Sequence, residues 1–441
     1  MTDTPFGNQA IAPIFVSALA KSELDAQTWL TDVLRVESAL AQAQSEHGII
    51  PTEAAEAIAA LTADLFDIEA LGERSETVGF PIVGVVEQIA ALLPDAMGEY
   101  AHWGATTQDI LDSAQALKLV RSFDRLESEL IAIGRRLSEL ADEGRSMLML
   151  GRSQGQPAVP TTFGLRVAGW LSGLTRHLDR LRESRPRVLA LQLSGAVGTA
   201  AAFGPDAGAV QARCAELLGL NLVDVNWHTQ RDGFVEAAAL ATSISGSLGK
   251  IGIDVAMSSQ PGVAELLEGD RGEGSGASST MPQKRNPVLS QQLVQNARLT
   301  RNLLPIVIEA MVSDHDRGTG VWPTEWVAIP HLMALSVSTA GKARMLLEHL
   351  EVDATAMREN LDAIDGAMAE AVMMALASEH GRQQAHDLVM EAIRSHPDKT
   401  LSDALGTEGV MVDRSVFDPS TYLGTTQAQI DAAIANFAER L

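Results

Sequence analysis

One segment of the sequence, Phe234 to Ser259, has small or apolar residues around almost its whole circumference when it is drawn as a helix. A helix without a polar face is stable only where other helices surround it, so this segment predicts the centre of a helical bundle. Lys250 and Asp254 interrupt the segment, and a helix that spans a lipid bilayer tolerates such charges poorly. We therefore expect a buried bundle helix that also packs between subunits, and no membrane span.

Helical spacing also dominates the rest of the chain. Leucine and isoleucine recur at three- and four-residue steps from Leu126 to Leu140, with Glu, Arg and Asp on the other face. Alternating patterns typical of strands are nearly absent. We predict an all-α protein with an N-terminal helical domain over residues 1–105, a central long-helix bundle over 106–350 and a C-terminal helical domain over 351–441.

The net charge of the chain limits the kinds of partner that it can bind. A formal net charge of −24 repels nucleic acids and anionic membrane surfaces, so an anionic substrate must be captured by a local group of cations. Cys214 is the single cysteine, which excludes an internal disulfide, and no group of cysteine and histidine has the spacing of a zinc site. Residues Met1 to Gly7 lack the basic and apolar regions of a secretory signal. The expected location is the cytoplasm.

A loop over residues 274–287, Gly-Ser-Gly-Ala-Ser-Ser-Thr-Met-Pro-Gln-Lys-Arg-Asn-Pro, combines small residues, hydroxyls and two cations ahead of a predicted helix. Small side chains let backbone N–H groups turn inward around an anion, while Lys284 and Arg285 add positive charge and Asn286 adds an amide. A hydroxyl is a very poor base near neutral pH, so Ser278 can take a proton from carbon only if such donors hold its alkoxide. Glycine and serine alone would favour a flexible linker, but the Met-Pro-Gln-Lys-Arg-Asn-Pro tail favours the anion site.

This loop resembles the signature loop of the fumarase/aspartase superfamily, Gly-Ser-Ser-x-Met-Pro-x-Lys-x-Asn-Pro, although Ala277 stands where that pattern usually has glycine. The resemblance implies an all-α fold of three parts, homotetramers whose active sites draw residues from three chains, no metal and no organic cofactor. It also implies that Ser278 is the catalytic base. The substrate-binding residues expected in this loop are Ser279, Met281, Lys284 and Asn286.

A second polar run, His102 to Asp109, comes just before a helical segment, where free backbone N–H groups also point at anions. Alone, this run suits a helix N-cap. It resembles the superfamily's first signature region, in which Thr-Ser or Thr-Thr is followed by an acidic residue and binds a substrate carboxylate. The resemblance implies that role for Thr106, Thr107 and Gln108.

A third run, Trp227 to Asp232, offers Gln230 and Arg231 as hydrogen-bond donors to a carboxylate. An isolated histidine such as His228 is more often a satisfied partner at the start of a helix. The run resembles a segment of the superfamily branch that contains adenylosuccinate lyase and carboxymuconate cycloisomerases. We therefore expect Gln230 and Arg231 in the pocket.

The segment Gly151 to Gly164 both matches the superfamily and departs from it. Adenylosuccinate and argininosuccinate lyases have Thr-His where this chain has Ser153 and Gln154, and their histidine assists protonation of the leaving nitrogen. Glutamine orients by hydrogen bonds but does not titrate. An amine leaves poorly without a proton, whereas a carboxylate leaves as itself because its conjugate acid has a pKa near ~4. The expected substrate-binding residues here are Arg152, Ser153 and Gln154.

Two further runs, Asp314 to Trp326 and Gly381 to Asp387, resemble the cycloisomerase branch. The resulting hypothesis is a cofactor-independent cycloisomerase that lactonises 3-carboxy-cis,cis-muconate, with proton transfer alpha to a carboxylate. Two alternatives stay open: a lyase that releases fumarate by C–N cleavage from nitrosuccinate-type or adenylosuccinate-type substrates, and a non-catalytic structural homologue. The expected partners are a small polycarboxylate and further copies of the chain in a homotetramer with shared active sites, not nucleic acid or a membrane.

Overall fold

The computed structural model describes residues 10–272 and 275–441, so Gly274 of the signature loop and the Met1 to Gly7 segment lie outside the described residues. Most of the described chain is helical, which confirms the predicted all-α class. The α-helices are α1 Ala12–Phe15, α2 Ala26–Glu46, α3 Thr52–Ala59, α4 Ile68–Val78, α5 Pro81–Leu92, α6 Thr107–Glu143, α7 Phe163–Val188, α8 Ala207–Leu218, α9 Asp232–Ser258, α10 Val288–Glu309, α11 Glu325–Glu348, α12 Ala354–Asp362, α13 Ala369–His380, α14 Arg382–Ser395, α15 Leu401–Thr407 and α16 Thr426–Ala438. Short 3-10 helices cover Ala18–Glu23, Ala63–Leu65, Met97–Tyr100, Ala201–Phe203, Trp322–Thr324, Asp365–Met368, Arg414–Phe417 and Pro419–Thr421.

The segment that is apolar around its circumference forms α9, within two residues of its predicted ends. Ala237, Ile244 and Val255 along α9 are fully buried. Ile253 and Met257, in contrast, are 43% and 54% exposed, so this chain alone leaves part of the helix uncovered. None of the helices in the described ranges is long and apolar enough to cross a membrane.

The chain divides into two compact units. Unit 1 comprises Met1–Glu129, His177–Gly249 and Gln292–Lys342, and unit 2 comprises Leu130–Arg176, Lys250–Gln291 and Ala343–Leu441. Each unit gathers stretches from distant parts of the sequence. The three domain ranges expected from the sequence, 1–105, 106–350 and 351–441, remain a prediction.

In unit 1, cations and an amide hold the N-terminal segment by its backbone carbonyls. Lys118 Nζ donates to the carbonyl of Glu23 at 2.9 Å, and Arg125 Nη1 donates to that of Leu19 at 3.0 Å. Asn296 Nδ2 donates to the carbonyl of Phe15 at 3.0 Å. These contacts tie the short helices of this segment, α1 and the 3-10 helix Ala18–Glu23, to the longer helices α6 and α10.

Unit 2 contains a β-hairpin that the sequence analysis did not predict. Its strands are β1, Leu148–Ser153, and β2, Gln156–Thr162, which pair antiparallel. Gln154 and Gly155 connect them with φ values of 54° and 74°, the positive pair that a type I′ turn requires. Prolines within β2 obscure the strand pattern, and a two-stranded sheet tolerates them because both strands are edges.

A second antiparallel pair lies in unit 2, formed by β3, Leu266–Glu268, and β4, Leu350–Val352. The two strands are short and come from distant parts of the chain. Glu265, just before β3, and Glu268, its last residue, contact the segments that contain the predicted site residues of this unit.

Candidate functional site

The signature loop in unit 2 places hydrogen-bond donors on the hydroxyl of Ser278. The backbone N–H groups of Thr280 and Met281 point at Ser278 Oγ, at 3.4 and 3.2 Å. Donors in this position stabilise negative charge on the oxygen, which makes an alkoxide more accessible than in a free serine. The loop therefore has the local geometry that a serine base requires.

Glycine is required at the base of the loop. Gly276 has a φ of 71°, and a Cβ atom there would lie 2.7 Å from the carbonyl oxygen of Asn286. The carbonyl of Gly276 accepts the backbone N–H of Asn286 at 2.8 Å and its side-chain Nδ2 at 3.2 Å. Asn286, predicted to bind substrate, thus closes the loop with its side-chain amide.

Glu268 anchors the end of the loop to the start of α10. Its carboxylate accepts the N–H groups of Leu289 and Ser290, at 3.1 and 2.7 Å, where a helix has unpaired donors. Arg285 donates to the carbonyl of Glu268 at 3.1 Å. The side chain of Lys284 is exposed and has no hydrogen bond or ion pair with any residue that the structure describes, although its backbone N–H donates to the carbonyl of Met281 at 3.1 Å. Of the two loop cations, Lys284 is the one whose side chain has no partner among the described residues.

Arg152 already has a carboxylate partner. Its two terminal nitrogens form a bidentate pair with Glu265, at 2.9 and 2.7 Å, and Asn360 Nδ2 donates to the same carboxylate at 2.9 Å. Glu265 is fully buried. The guanidinium of Arg152 therefore positions the hairpin against the residue before β3, and its predicted contact with substrate stays a prediction. Ser153 and Gln154 lie exposed at the hairpin tip.

In unit 1, the start of α6 is capped as its sequence predicts. Asp109 reaches back to the N–H of Thr106 at 3.0 Å, as in a capping box. The same carboxylate accepts the N–H groups of Ser194 and Gly195 at 2.8 and 2.9 Å. Burial raises the pKa of Asp109, although these hydrogen bonds oppose the shift. Asp109 thereby fixes Thr106 and the first helical residue, Thr107.

Arg317 is a candidate site residue that the sequence analysis quoted only as part of a family resemblance. Its Nη1 donates to Thr106 Oγ1 at 2.8 Å. Its Nε and Nη2 are shut off from solvent and have no acceptor among the described residues. A buried guanidinium with free donors, next to two threonines at a helix start, is suited to bind a carboxylate. The sequence feature that could have indicated Arg317 is an arginine in a loop of a strongly acidic chain, where a cation is expected to serve a local anion site.

Arg231 is buried in an ion-paired cluster with Asp112 and Glu325. Its Nη1 and Nη2 donate to Asp112 at 2.6 and 3.0 Å, and its Nε donates to Glu325 at 3.1 Å. Its guanidinium also lies 5.1 and 4.9 Å from the ring centroids of Trp227 and Phe234. The expected contact between Arg231 and a substrate carboxylate therefore has no support in this geometry, because internal carboxylates hold the guanidinium.

Gln108 belongs to the same cluster. Its Nε2 donates to Asp112 at 3.1 Å and to the carbonyl of His228 at 2.8 Å. Gln108 is 1% exposed, so it too supports the start of α6 from inside. Gln230, in contrast, is exposed.

The predicted residues thus fall into two groups, each within one unit. Unit 1 brings Thr106, Thr107, Gln108 and Arg231 to the starts of α6 and α9, and it adds Arg317. Unit 2 ties Arg152 and the loop with Ser278, Ser279, Met281, Lys284 and Asn286 to the segment around β3. Across residues 10–272 and 275–441 there is no group of three or more His, Cys, Asp or Glu side chains arranged to hold a metal ion.

Comparison with known proteins gives concordant results. The profile of a family described as Lyase matches residues 12–299. A 3-carboxy-cis,cis-muconate cycloisomerase of Pseudomonas aeruginosa is 40% identical, over 99% of this chain and 97% of its own. An N-acetyl-S-(2-succino)cysteine lyase of Enterococcus italicus is 32% identical, over 92% of this chain and 91% of its own. The crystal structure of the 3-carboxy-cis,cis-muconate lactonizing enzyme of Pseudomonas putida is similar with a TM-score of 0.91 and 34% identity, covering 98% of this chain and 100% of that one.

Proposed function

Since the chain belongs to the lyase family of the fumarase/aspartase superfamily, we propose that it is a cycloisomerase that lactonises 3-carboxy-cis,cis-muconate. The observation that carries the chemistry is the pair of backbone N–H groups that Thr280 and Met281 direct at Ser278 Oγ. These donors let one hydroxyl act as a proton donor in one direction and as a base in the other.

In the proposed reaction, one carboxylate of the substrate attacks the carbon–carbon double bond of the same molecule. The C–O bond of the lactone forms, and the π electrons move to the carbon alpha to a second carboxylate. Ser278 gives its proton to that carbon. In reverse, the Ser278 alkoxide removes the proton, the C–O bond breaks and the double bond returns. Lys284 and the loop N–H groups stabilise the dianionic aci-carboxylate between the two steps.

The remaining carboxylates are held by cations and helix-start donors. We assign one of them to Arg317 with Thr106 and Thr107, because Arg317 has buried donors without acceptors. The leaving carboxylate needs no proton, so a glutamine at position 154 is compatible with the reaction. For the other expected binding residues, Ser279, Met281, Asn286, Arg152, Ser153 and Gln230, contact with the substrate stays a prediction.

We further propose that the protein works as a cytoplasmic homotetramer with active sites shared between copies. The exposed apolar residues Ile253 and Met257 on α9 support this assembly, since such side chains gain stability when another copy covers them. The substrate is a small polycarboxylate.

Replacement of Ser278 with Ala tests the proposal. We expect kcat to fall by about 10²- to 10⁴-fold, the usual contribution of a general acid or base, while calorimetric binding of 3-carboxymuconate is retained. Ser275→Ala, in the same loop, is the matched control and should keep normal turnover. Loss of the muconate ultraviolet absorbance measures the rate. Near-normal activity of Ser278→Ala would refute the assignment.

A second candidate is a lyase that releases fumarate, which the Enterococcus italicus relative favours. A thiolate has a conjugate acid of pKa near ~8.5 and leaves without a titrating residue at position 154, as a carboxylate does. Mixing the protein with N-acetyl-S-(2-succino)cysteine distinguishes the two functions, because fumarate absorbance then appears. The first candidate predicts consumption of 3-carboxymuconate and no fumarate.

A further inference from the structure

Arg317 lies in the loop between α10 and α11, and few polar contacts connect that loop to its surroundings. Two hydrogen bonds among the described residues join residues 313–320 to other parts of unit 1. One is the contact of Arg317 with Thr106, and His228 makes the other. His228 is therefore the polar anchor of this loop that does not depend on the guanidinium of Arg317.

The ring of His228 contacts the peptide unit that leads into Arg317. Its Nε2 lies 2.5 Å from the carbonyl oxygen of Asp316. A carbonyl oxygen has no proton to give, so Nε2 carries a proton and donates it. The carbonyl of Asp316 and the backbone nitrogen of Arg317 belong to one planar peptide unit. A hydrogen bond to that carbonyl therefore also fixes the direction in which the backbone of Arg317 continues.

The ring of His228 is itself held in place. It is buried, and its Nδ1 lies within hydrogen-bonding distance of the side-chain amide of Asn226. The same amide donates from Nδ2 to the carbonyl of Gly198 at 3.0 Å. Gly198 has a φ of 82°, and a Cβ atom there would lie 2.5 Å from Asn226 Nδ2 and 2.8 Å from His228 Cε1. Glycine at this position lets the amide and the ring approach the loop closely.

The main chain of His228 connects it to the start of α6. Its carbonyl accepts Nε2 of Gln108 at 2.8 Å, and Gln108 directly follows Thr106 and Thr107. His228 thus contacts the start of α6 through its backbone and the peptide unit before Arg317 through its ring. One residue thereby sets the position of Arg317 relative to the two threonines.

We propose that His228 is a positioning residue, which holds Arg317 beside Thr106 so that the guanidinium meets a substrate carboxylate there. The inference rests on the proposed function, since it takes Arg317 as a binding residue. His228 acts through Arg317 and needs no contact of its own with the substrate. Its loss should therefore weaken substrate binding without slowing proton transfer at Ser278.

Two replacements of similar chemistry separate the two ring nitrogens. A glutamine amide reaches about as far from the backbone as Nε2 and still donates to the carbonyl of Asp316, whereas asparagine reaches only as far as Nδ1. We expect His228→Asn to raise KM for 3-carboxymuconate by about 3- to 10-fold, the usual contribution of one neutral hydrogen bond, and to leave kcat nearly unchanged. His228→Gln is the matched control and should keep KM. Loss of the muconate ultraviolet absorbance measures both constants.

Combination with Arg317→Gln tests whether His228 acts through that arginine. If it does, His228→Asn should change KM by less than about 2-fold in the Arg317→Gln protein, because the contact that His228 positions is then already lost. A residue that only supports the fold would raise KM equally in both proteins. Urea denaturation of each variant checks that the compared proteins are folded.

Trypsin gives a second measurement, which needs no substrate. It cleaves after arginine, and Arg317 lies in the loop that His228 anchors. We expect cleavage after Arg317, located by mass spectrometry, to be faster in His228→Asn than in the unmodified protein, and His228→Gln to be cleaved as slowly as the unmodified protein.

The proposal is overturned if His228→Asn keeps its KM while Arg317→Gln raises it, or if His228→Gln raises KM as much as His228→Asn does. Independent effects of His228→Asn and Arg317→Gln would also overturn it. If Arg317→Gln alone leaves KM unchanged, the carboxylate site of the proposed function fails instead. Cleavage after Arg317 then decides the role of His228, and equal rates in the three proteins would refute it.

Discussion

The signature loop of unit 2 and the buried cluster around Arg231 in unit 1 contain the same kinds of residue but use them differently. Lys284 is exposed and has no carboxylate partner among the described residues, whereas Arg231 is 2% exposed and pairs with Asp112 and Glu325. Both cations were expected to bind substrate. The comparison teaches that a cation is available to a ligand only where the chain has not already neutralised it.

The largest expected effect is on the buried cluster. Arg231→Met leaves Asp112 and Glu325 as buried carboxylates without a cation, and breaking a buried pair in this way costs about 3–5 kcal/mol of the free energy of unfolding. Urea denaturation measures it. Gln230→Ala, at the exposed neighbouring position, should change stability by less than about 0.5 kcal/mol. If Arg231→Met folds normally but loses only substrate affinity, the contrast between the two regions is wrong.

Lys284→Met makes the opposite test in the loop. Since Lys284 holds no internal partner, we expect the free energy of unfolding to change by less than about 0.5 kcal/mol. The loss of one stabilising charge should lower kcat by about 10²- to 10³-fold. Gln283→Ala is the control in the same loop and should keep its kcat. A marked loss of stability in Lys284→Met would place this lysine with Arg231 as a structural cation.

The distances in sequence explain which of these roles could be predicted. The all-α class, the position of α9 and the start of α6 follow from local patterns, because periodicity and capping residues act over a few positions. The partners of Arg231 are 119 and 94 positions away, at Asp112 and Glu325. No local pattern indicates such a pair, so the sequence predicted a donor to substrate where the structure has an ion pair.

The same reasoning covers the two features that the sequence analysis missed. Arg317 contacts Thr106 across 211 positions, so its place beside the start of α6 depends on tertiary packing. The hairpin of β1 and β2 turns at Gln154 and Gly155, and glutamine is not one of the residues that typically indicate such a turn. The two hydrogen bonds to Ser278 Oγ, in contrast, close within three positions, so the local sequence is enough to bring these donors to the hydroxyl.

Arg317 is intermediate between Lys284 and Arg231. Its Nη1 donates to Thr106, whereas its Nε and Nη2 have no acceptor among the described residues. Arg317→Gln should raise KM for 3-carboxymuconate by about 10- to 100-fold, because a hydrogen bond to a charged group contributes about 1.5–3 kcal/mol. Steady-state kinetics measure it. Thr106→Ser keeps the hydroxyl that Arg317 contacts and should retain KM. An unchanged KM in Arg317→Gln would assign this guanidinium to the structural group with Arg231.

The smallest expected effect concerns His102, a half-buried histidine whose ring contacts the carboxylate of Glu37. Burial of the ring disfavours its charged form, but Glu37, whose Oε1 lies 2.7 Å from Nδ1, outweighs burial and raises the pKa of His102. A group with a raised pKa in the folded state stabilises the fold fully below its unfolded pKa of about 6.5, and that contribution is lost as the pH rises through the folded pKa. The free energy of unfolding should therefore decrease over this range. His102→Asn, which suits the φ of 58° at this position, should remove that decrease, and Glu37→Gln should remove most of it. Urea denaturation at a series of pH values measures the difference. If the decrease persists in His102→Asn, another group titrates. The pairing of His102 with Glu37 then contributes little to stability.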